Sequence, residues 1–241
     1  MTTLRSVLFL AGAVVLTAIF GILVPLGRLL GKRPPFALAR TYARLMLGWI
    51  EASVGIRCEV TGWENVPAGP AIVMAKHQSA WETIFIESAF PSQCWIVKKE
   101  LLWLPFVGWG LLAIRCIAID RKSGTTAREQ VIQQGGERLR EGLWVTIFPE
   151  GTRVAPGKRG RYAIGGALLA ARTGAPILPI AHNAGEFWPR YAFRKRAGCV
   201  KVVVGPLIRT EGRDAVSVNQ EVERWIEDQM RTISGERRAG A

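Results

Sequence analysis

"AIVMAKHQSAWETIFIESAF", residues 71–90, is the stretch that decides the fold. Its first part, around Ala71–Ala75, is a short apolar run, as expected of a strand buried on both faces. The polar turn Lys76-His77-Gln78-Ser79 follows, and the remainder reads as a helix. The same alternation recurs along the chain. Residues 57–67, 93–99, 111–121, 143–153, 175–182 and 199–207 read as further strands, the first running into a turn. Residues 125–142, 162–174 and 217–234 read as helices, the first opened by the capping-box spacing Thr126 to Glu129 and the second stopped by Gly174. Strands alternating with helices specify the α/β class, a mixed and largely parallel sheet flanked by helices. Ligands of such sheets bind outside strand ends. The polar clusters Lys76–Ser79, Asp120-Arg121 and Glu150–Arg153 fall at three of them.

His77 is one of two histidines in 241 residues, and Glu82 stands five positions on. Two readings compete. Ser79 to Glu82 has the S-x-x-E spacing of a capping box, in which the serine accepts from the helix and the glutamate returns to the Ser79 N–H. In the other reading His77 is a general base. Five residues apart on one helix the two would point about 140° apart. With His77 in the turn and Glu82 in the first helical turn, the carboxylate reaches one ring nitrogen and leaves the other for substrate. Arg121 and Arg153, each at a strand end, are placed to fork onto a phosphate. A salt bridge from Arg121 to Asp120 or Glu150 is the alternative. His182 reads as a strand-end residue without chemistry.

The N-terminus is different in kind. Residues 6–27 carry no charge, and residues 7–26 as a helix would be about 30 Å long, one hydrocarbon core. A cleaved signal peptide would have a shorter apolar run and a small-residue cleavage site, so a retained membrane helix is expected. Arg28, Lys32, Arg33, Arg40 and Arg44 follow it, which places the main domain in the cytoplasm. Residues 36–54 read as a second helix, either in the headgroup zone or packed on the domain. The expected division is 1–55 for the membrane anchor and amphipathic helix and 56–241 for the main domain, with 235–241 frayed.

Composition agrees. Mean hydropathy is +0.17, and net charge is +13, which suits an anionic lipid surface. The alternative polyanion, nucleic acid, lacks the aromatic–basic interleaving of RNA binders, so no nucleic-acid partner is expected. Cys58, Cys94, Cys116 and Cys199 form no C-x-x-C pair and suit reduced thiols; with two histidines they do not suit a zinc site. Trp103, Phe106 and Trp109 line an apolar groove, touch lipid or belong to the core. The basic loops 153–161 and 190–196 lie against anionic headgroups or are simply solvated.

"HQSAWE", "IAIDR", "FPEGTR" and "ILPI" resemble, in order and spacing, the motifs of the glycerolipid acyltransferase family, especially its bacterial 1-acyl-sn-glycerol-3-phosphate acyltransferases. The resemblance covers residue 56 to about 210, together with the N-terminal anchor, and implies a glycerol-3-phosphate acyltransferase-like fold. It also implies transfer of an acyl group from acyl-CoA or acyl-carrier protein to the hydroxyl of lysophosphatidic acid, without an acyl-enzyme and without a cofactor. By resemblance His77 and Glu82 stand for the family's H-x4-D pair, Glu replacing the commoner Asp. Arg121 stands for the phosphate-binding arginine of the second motif, and Glu150, Gly151 and Arg153 for the acceptor site. Pro179 stands on the acyl-donor side, and Lys98 aids the oxyanion. The usual glycine before the second motif's strand has no clear counterpart. Acceptors such as a lyso-ornithine lipid, thioester hydrolysis, and a non-catalytic membrane-tethered basic module remain as alternatives.

Overall fold

The computed structural model describes residues 2–120 and 123–234. Seven strands form one sheet: β1 Ile56–Thr61, β2 Ile72–Ala75, β3 Gln93–Lys98, β4 Ile117–Ile119, β5 Trp144–Ile147, β6 Ile177–His182 and β7 Gly198–Val204. Their order is β1-β7-β6-β2-β5-β3-β4. Every pairing is parallel except β6 with β7, so the sheet is mixed and largely parallel, as the alternation predicts. The C-terminal ends of β2, β3, β4 and β5 therefore share one edge of the molecule.

Alternation along the strands sorts the core into two layers. On β2, Ala71, Val73 and Ala75 face one side, and Ile72 and Met74 face the other. The first side is covered by four helices: α1 Thr2–Leu26, α2 Pro34–Val54, α3 Trp81–Ala89 and α4 Val107–Ala113. The second is covered by α5 Thr125–Arg140, α6 Gly165–Thr173 and α7 Ala215–Ile233. β2 sits fourth of seven in the sheet and has no exposed residue, which accounts for its continuous apolar run.

Two local expectations are corrected. Residues 111–121 are not one strand: 107–113 are α4, and only Ile117–Ile119 is strand. A short apolar run does not distinguish a buried helical turn from a strand. The capping box at Thr126 does not form. The helix starts earlier, at Thr125, with Gly124 as a cap that supplies no side chain.

The helix α2 is packed on the domain. Ala39, Ala43, Met46 and Ile50 are buried, and Arg40 donates to the carbonyls of Ser88 and Ala89 at the end of α3. α1 is docked along its length. The Trp49 indole N–H donates to the Phe9 carbonyl, Thr17 bonds Tyr42, and Arg28 donates to the Ala113 carbonyl. Gly12 and Gly21 are glycines of close approach: a Cβ there would lie 2.3 Å from the Trp49 ring and from Phe106 Cβ respectively. The outward face of α1, from Leu4 and Val7 through Val14, Ile19 and Leu26, is exposed and apolar. It is a helix long and apolar enough to cross a membrane, over Thr3–Leu30. Leu101, Trp103, Leu104, Val107, Trp109 and Leu112, in and just before α4, are also exposed.

Candidate active site

The alternation of β2 continues past the strand's end and turns consecutive residues to opposite sides. Lys76 points toward α7 and His77 toward α3. The His77 ring stacks on Phe148 at 3.9 Å between centroids, and Phe148 packs against Trp95. His77 Nδ1 lies 2.8 Å from Glu82 Oε1. Glu82 is 0% exposed and also accepts from the backbone N–H groups of Gln78 and Ser79. The Ser79 hydroxyl accepts from the Trp81 N–H. The His77–Glu82 pair forms, whereas the capping box forms only in part: Glu82 returns to the Ser79 N–H, but Ala80 is the N-cap of the helix and the Ser79 hydroxyl accepts from the Trp81 N–H and not from that of Glu82. The back-bond to Ser79 fixes the helix start, and the same bond network aims Glu82 at the imidazole.

Burial pushes the Glu82 carboxyl up. The two imidazoles and the Ser79 N–H outweigh that, and the group sits below the usual carboxylate range. An ionised Glu82 accepts from Nδ1–H, which leaves Nε2 as the basic nitrogen. Nε2 has no hydrogen-bond partner among the described residues, and the His77 side chain is partly exposed. The arrangement suits proton abstraction from a hydroxyl brought to that nitrogen.

The loop after β5 is fastened to the same residue. Glu150 Oε2 accepts the His77 N–H at 3.0 Å, and the Val154 N–H donates to the His77 carbonyl at 2.8 Å. Gly151 makes the turn between them at φ 65°, a left-handed conformation that glycine adopts freely, and its N–H closes on the Phe148 carbonyl. The other Glu150 oxygen accepts from Lys76 Nζ at 2.8 Å and from the Gly160 N–H. Glu150 is therefore turned inward, joining two loops. Arg153 precedes the Val154 N–H that bonds the His77 carbonyl, and its buried Nε has no hydrogen-bond partner among the described residues. That makes it a ready donor for an anionic group.

The remaining expected residues are placed otherwise. Lys98 alternates with Ile96 onto the α5 side of β3, and its ammonium pairs with Glu100 at 3.1 Å. β5 lies between β3 and β2, so the structure does not bring Lys98 to the imidazole. Pro179 is buried in β6 beside Met74, its carbonyl accepting from the Gly205 N–H. It alternates with Ile177 and Ala181 on the α6–α7 side and is part of the scaffold. Arg121 lies outside the described residues. Asp120, at the end of β4, pairs with Lys99.

Three participants were not expected from sequence. Lys76 is 1% exposed and bonds Glu150 and, at 2.8 Å, Glu227 of α7, which also accepts from the Tyr162 hydroxyl. Phe148 supplies the wall behind the imidazole. His182 is buried behind Glu82, its Nε2 4.0 Å from Glu82 Oε2. The alternation of β2 carried one step further would have put Lys76 in the α7 layer; nothing in the local sequence marks its partner in α7. Among the described residues, no group of three or more His, Cys, Asp or Glu could hold a metal ion.

The acyltransferase family model matches residues 57–183, which include His77, Glu82 and the whole Glu150–Arg153 turn. The chain belongs to the acyltransferase family. It is 42% identical over 200 residues to a 1-acyl-sn-glycerol-3-phosphate acyltransferase of Pseudomonas aeruginosa, covering 82% of this chain and 78% of that one. It is 32% identical over 203 residues to the human 1-acyl-sn-glycerol-3-phosphate acyltransferase alpha, covering 82% and 72%. Its fold matches the crystal structure of the 1-acyl-sn-glycerophosphate acyltransferase PlsC from Thermotoga maritima with a TM-score of 0.81 at 21% identity, over 97% of this chain and 96% of that one. The match includes the N-terminal helices, so this acyltransferase shares both the sheet and the docked α1–α2 pair with that fold.

Proposed function

We propose that this acyltransferase moves a fatty acyl group from a thioester donor to the free hydroxyl of lysophosphatidic acid and releases phosphatidic acid. The observation that carries the reading is the 2.8 Å bond from His77 Nδ1 to a buried carboxylate, which leaves Nε2 open, with Arg153 in the turn fastened to the His77 backbone. The names of the Pseudomonas and human relatives, both 1-acyl-sn-glycerol-3-phosphate acyltransferases, support the acceptor. His77 Nε2 takes the hydroxyl proton as its oxygen attacks the thioester carbonyl. The tetrahedral intermediate collapses, and the thiolate leaves with a proton from the imidazolium. Base assistance of this kind contributes about 10²- to 10⁴-fold. Glu82 fixes the tautomer and stabilises the imidazolium. Arg153, with Arg121 as the second cation, holds the acceptor phosphate so that the hydroxyl meets Nε2. Glu150 and Gly151 shape that acceptor site by holding the turn; Pro179 belongs to the buried strand β6, and Lys98 to an exposed ion pair with Glu100.

The donor is acyl-CoA or acyl-carrier protein, with no cofactor. The exposed apolar face of α1 and the neighbouring Trp103 and Trp109 rest in the membrane, and the basic surface meets anionic headgroups. The four free cysteines and the cationic residues that follow α1 support a location at the cytoplasmic face of the bacterial inner membrane.

The test is turnover in vesicles with lysophosphatidic acid, lysophosphatidylcholine or a lyso-ornithine lipid as acceptor, and with acyl-CoA or acyl-carrier protein as donor. Thiol release dependent on lysophosphatidic acid, with phosphatidic acid as product, is expected. Release at the same rate without any acceptor would instead identify a thioester hydrolase.

A further inference from the structure

The second histidine has no place in the reaction as described, yet it touches the site at two points. His182 ends β6 and is 1% exposed. Its Nε2 bonds the Lys76 carbonyl at 2.7 Å, and its Nδ1 accepts the Ala184 N–H at 3.3 Å. A carbonyl can only accept and an amide N–H can only donate, so the ring carries its proton on Nε2. It is held neutral. Burial pushes the imidazole down, and the Glu82 carboxylate opposes that without reversing it.

The Lys76 carbonyl and the His77 N–H belong to one peptide plane. His182 holds the carbonyl end, and Glu150 Oε2 holds the N–H end at 3.0 Å. A plane gripped at both ends cannot rotate, and it is the plane that sets the direction in which the His77 side chain leaves the backbone. The same Nε2–H is 4.0 Å from Glu82 Oε2, so its positive end also faces the carboxylate that orients the base.

We infer that His182 is a positioning residue for acyl transfer: through its Nε2–H it fixes the Lys76 carbonyl and so aims the His77 imidazole. The inference rests on His77 being the base. Base catalysis requires placement to a fraction of an ångström, and a displacement of about 1 Å costs on the order of 100-fold. A site that needs one donor toward a carbonyl and one acceptor toward an amide, on opposite sides of a flat ring, suits neutral histidine. Glutamine reproduces the Nε2 donor; asparagine does not reach it.

The experiment measures kcat and KM for lysophosphatidic acid, with each of the two donor types, for His182→Ala, His182→Gln, His182→Asn and His77→Ala. Thermal unfolding of each protein gives the folded fraction. His182→Ala is expected to lose about 10- to 100-fold in kcat at nearly unchanged KM. His182→Gln should recover most of the loss, and His182→Asn should not. If His182→Ala does not fold, the glutamine–asparagine difference in kcat decides alone. Parent-like kcat in folded His182→Ala, or equal kcat in the glutamine and asparagine variants, overturns the inference. If His77→Ala is inactive in that case, the base assignment stands and only the role of His182 falls. Parent-like turnover in His77→Ala removes the base assignment and this inference together.

Discussion

Two long helices flank the same sheet and are built inside out relative to one another. α7 buries Val218, Val222, Ile226, Met230 and Ile233 and, apart from the inward-turned Glu227, keeps its charged residues outside the core. α1 turns Ser6, Gly12 and Gly21 toward the domain and leaves Leu8, Val15, Ile19 and Leu23 outside. Phe9 and Val24 also anchor α1 in the core, but a helix that leaves most of its large apolar residues exposed is built for an apolar surrounding medium. On the proposed reading the sheet has a water side and a lipid side, and the end of β2 divides the site between them. Lys76 belongs to the water side through Glu227, and His77 to the lipid side through Phe148 and Glu82. Adjacent residues thus do different work: one braces the loop, and the other meets an amphiphile arriving from the membrane.

That division predicts opposite phenotypes for neighbouring substitutions. Lys76→Met leaves Glu150 and Glu227 buried without their cation and should cost about 3–5 kcal/mol of stability, read by denaturant unfolding. Equal stability of parent and variant would mean that the brace contributes nothing. Ile226→Ala opens a cavity under α7 and should cost about 2–5 kcal/mol. Ile19→Ser on α1 should change stability by no more than about 0.5 kcal/mol in detergent while weakening binding to anionic vesicles. If vesicle binding is untouched, the exposed face of α1 is not the membrane contact. Asp214→Ala removes the cap that accepts from the Val216 and Ser217 N–H groups and should lower the melting temperature slightly without affecting turnover.

A smaller effect concerns pH. His182 titrates lower in the fold than in the unfolded chain, so the unfolded state binds the proton first as pH falls. The stability that neutral His182 contributes is full above about 6.5 and declines below it. Glu82, His77 and Glu150 are the charged or titratable groups that face it. The parent should therefore lose stability relative to His182→Gln as pH drops from 7 to 5. A constant difference over that range would show that His182 does not titrate with folding.

Much of this was legible because it is periodic. The strand runs, the helices on both faces and the apolar N-terminus are repeating patterns, and patterns of that kind are set locally. The pairing of His77 with Glu82 was legible because both lie within one strand–turn–helix unit. The brace was not. Lys76 meets Glu227 across 151 positions, and His182 meets Lys76 across 106, contacts that exist only once β6 and α7 have packed. The strand expected at 111–121 failed for a similar reason, since its first part is the end of α4, which packs against α1, Phe106 just before α4 meeting Gly21.

The central claim is that the imidazole on the lipid side performs the chemistry while the fold around it is self-sufficient. The most direct measurement is single-turnover acyl transfer to lysophosphatidic acid by His77→Ala bound to vesicles, with unfolding and vesicle binding followed on the same sample. Transfer should fall by about 10²- to 10⁴-fold while melting and vesicle binding match the parent. Transfer at the parent rate by a folded, vesicle-bound His77→Ala would contradict the account.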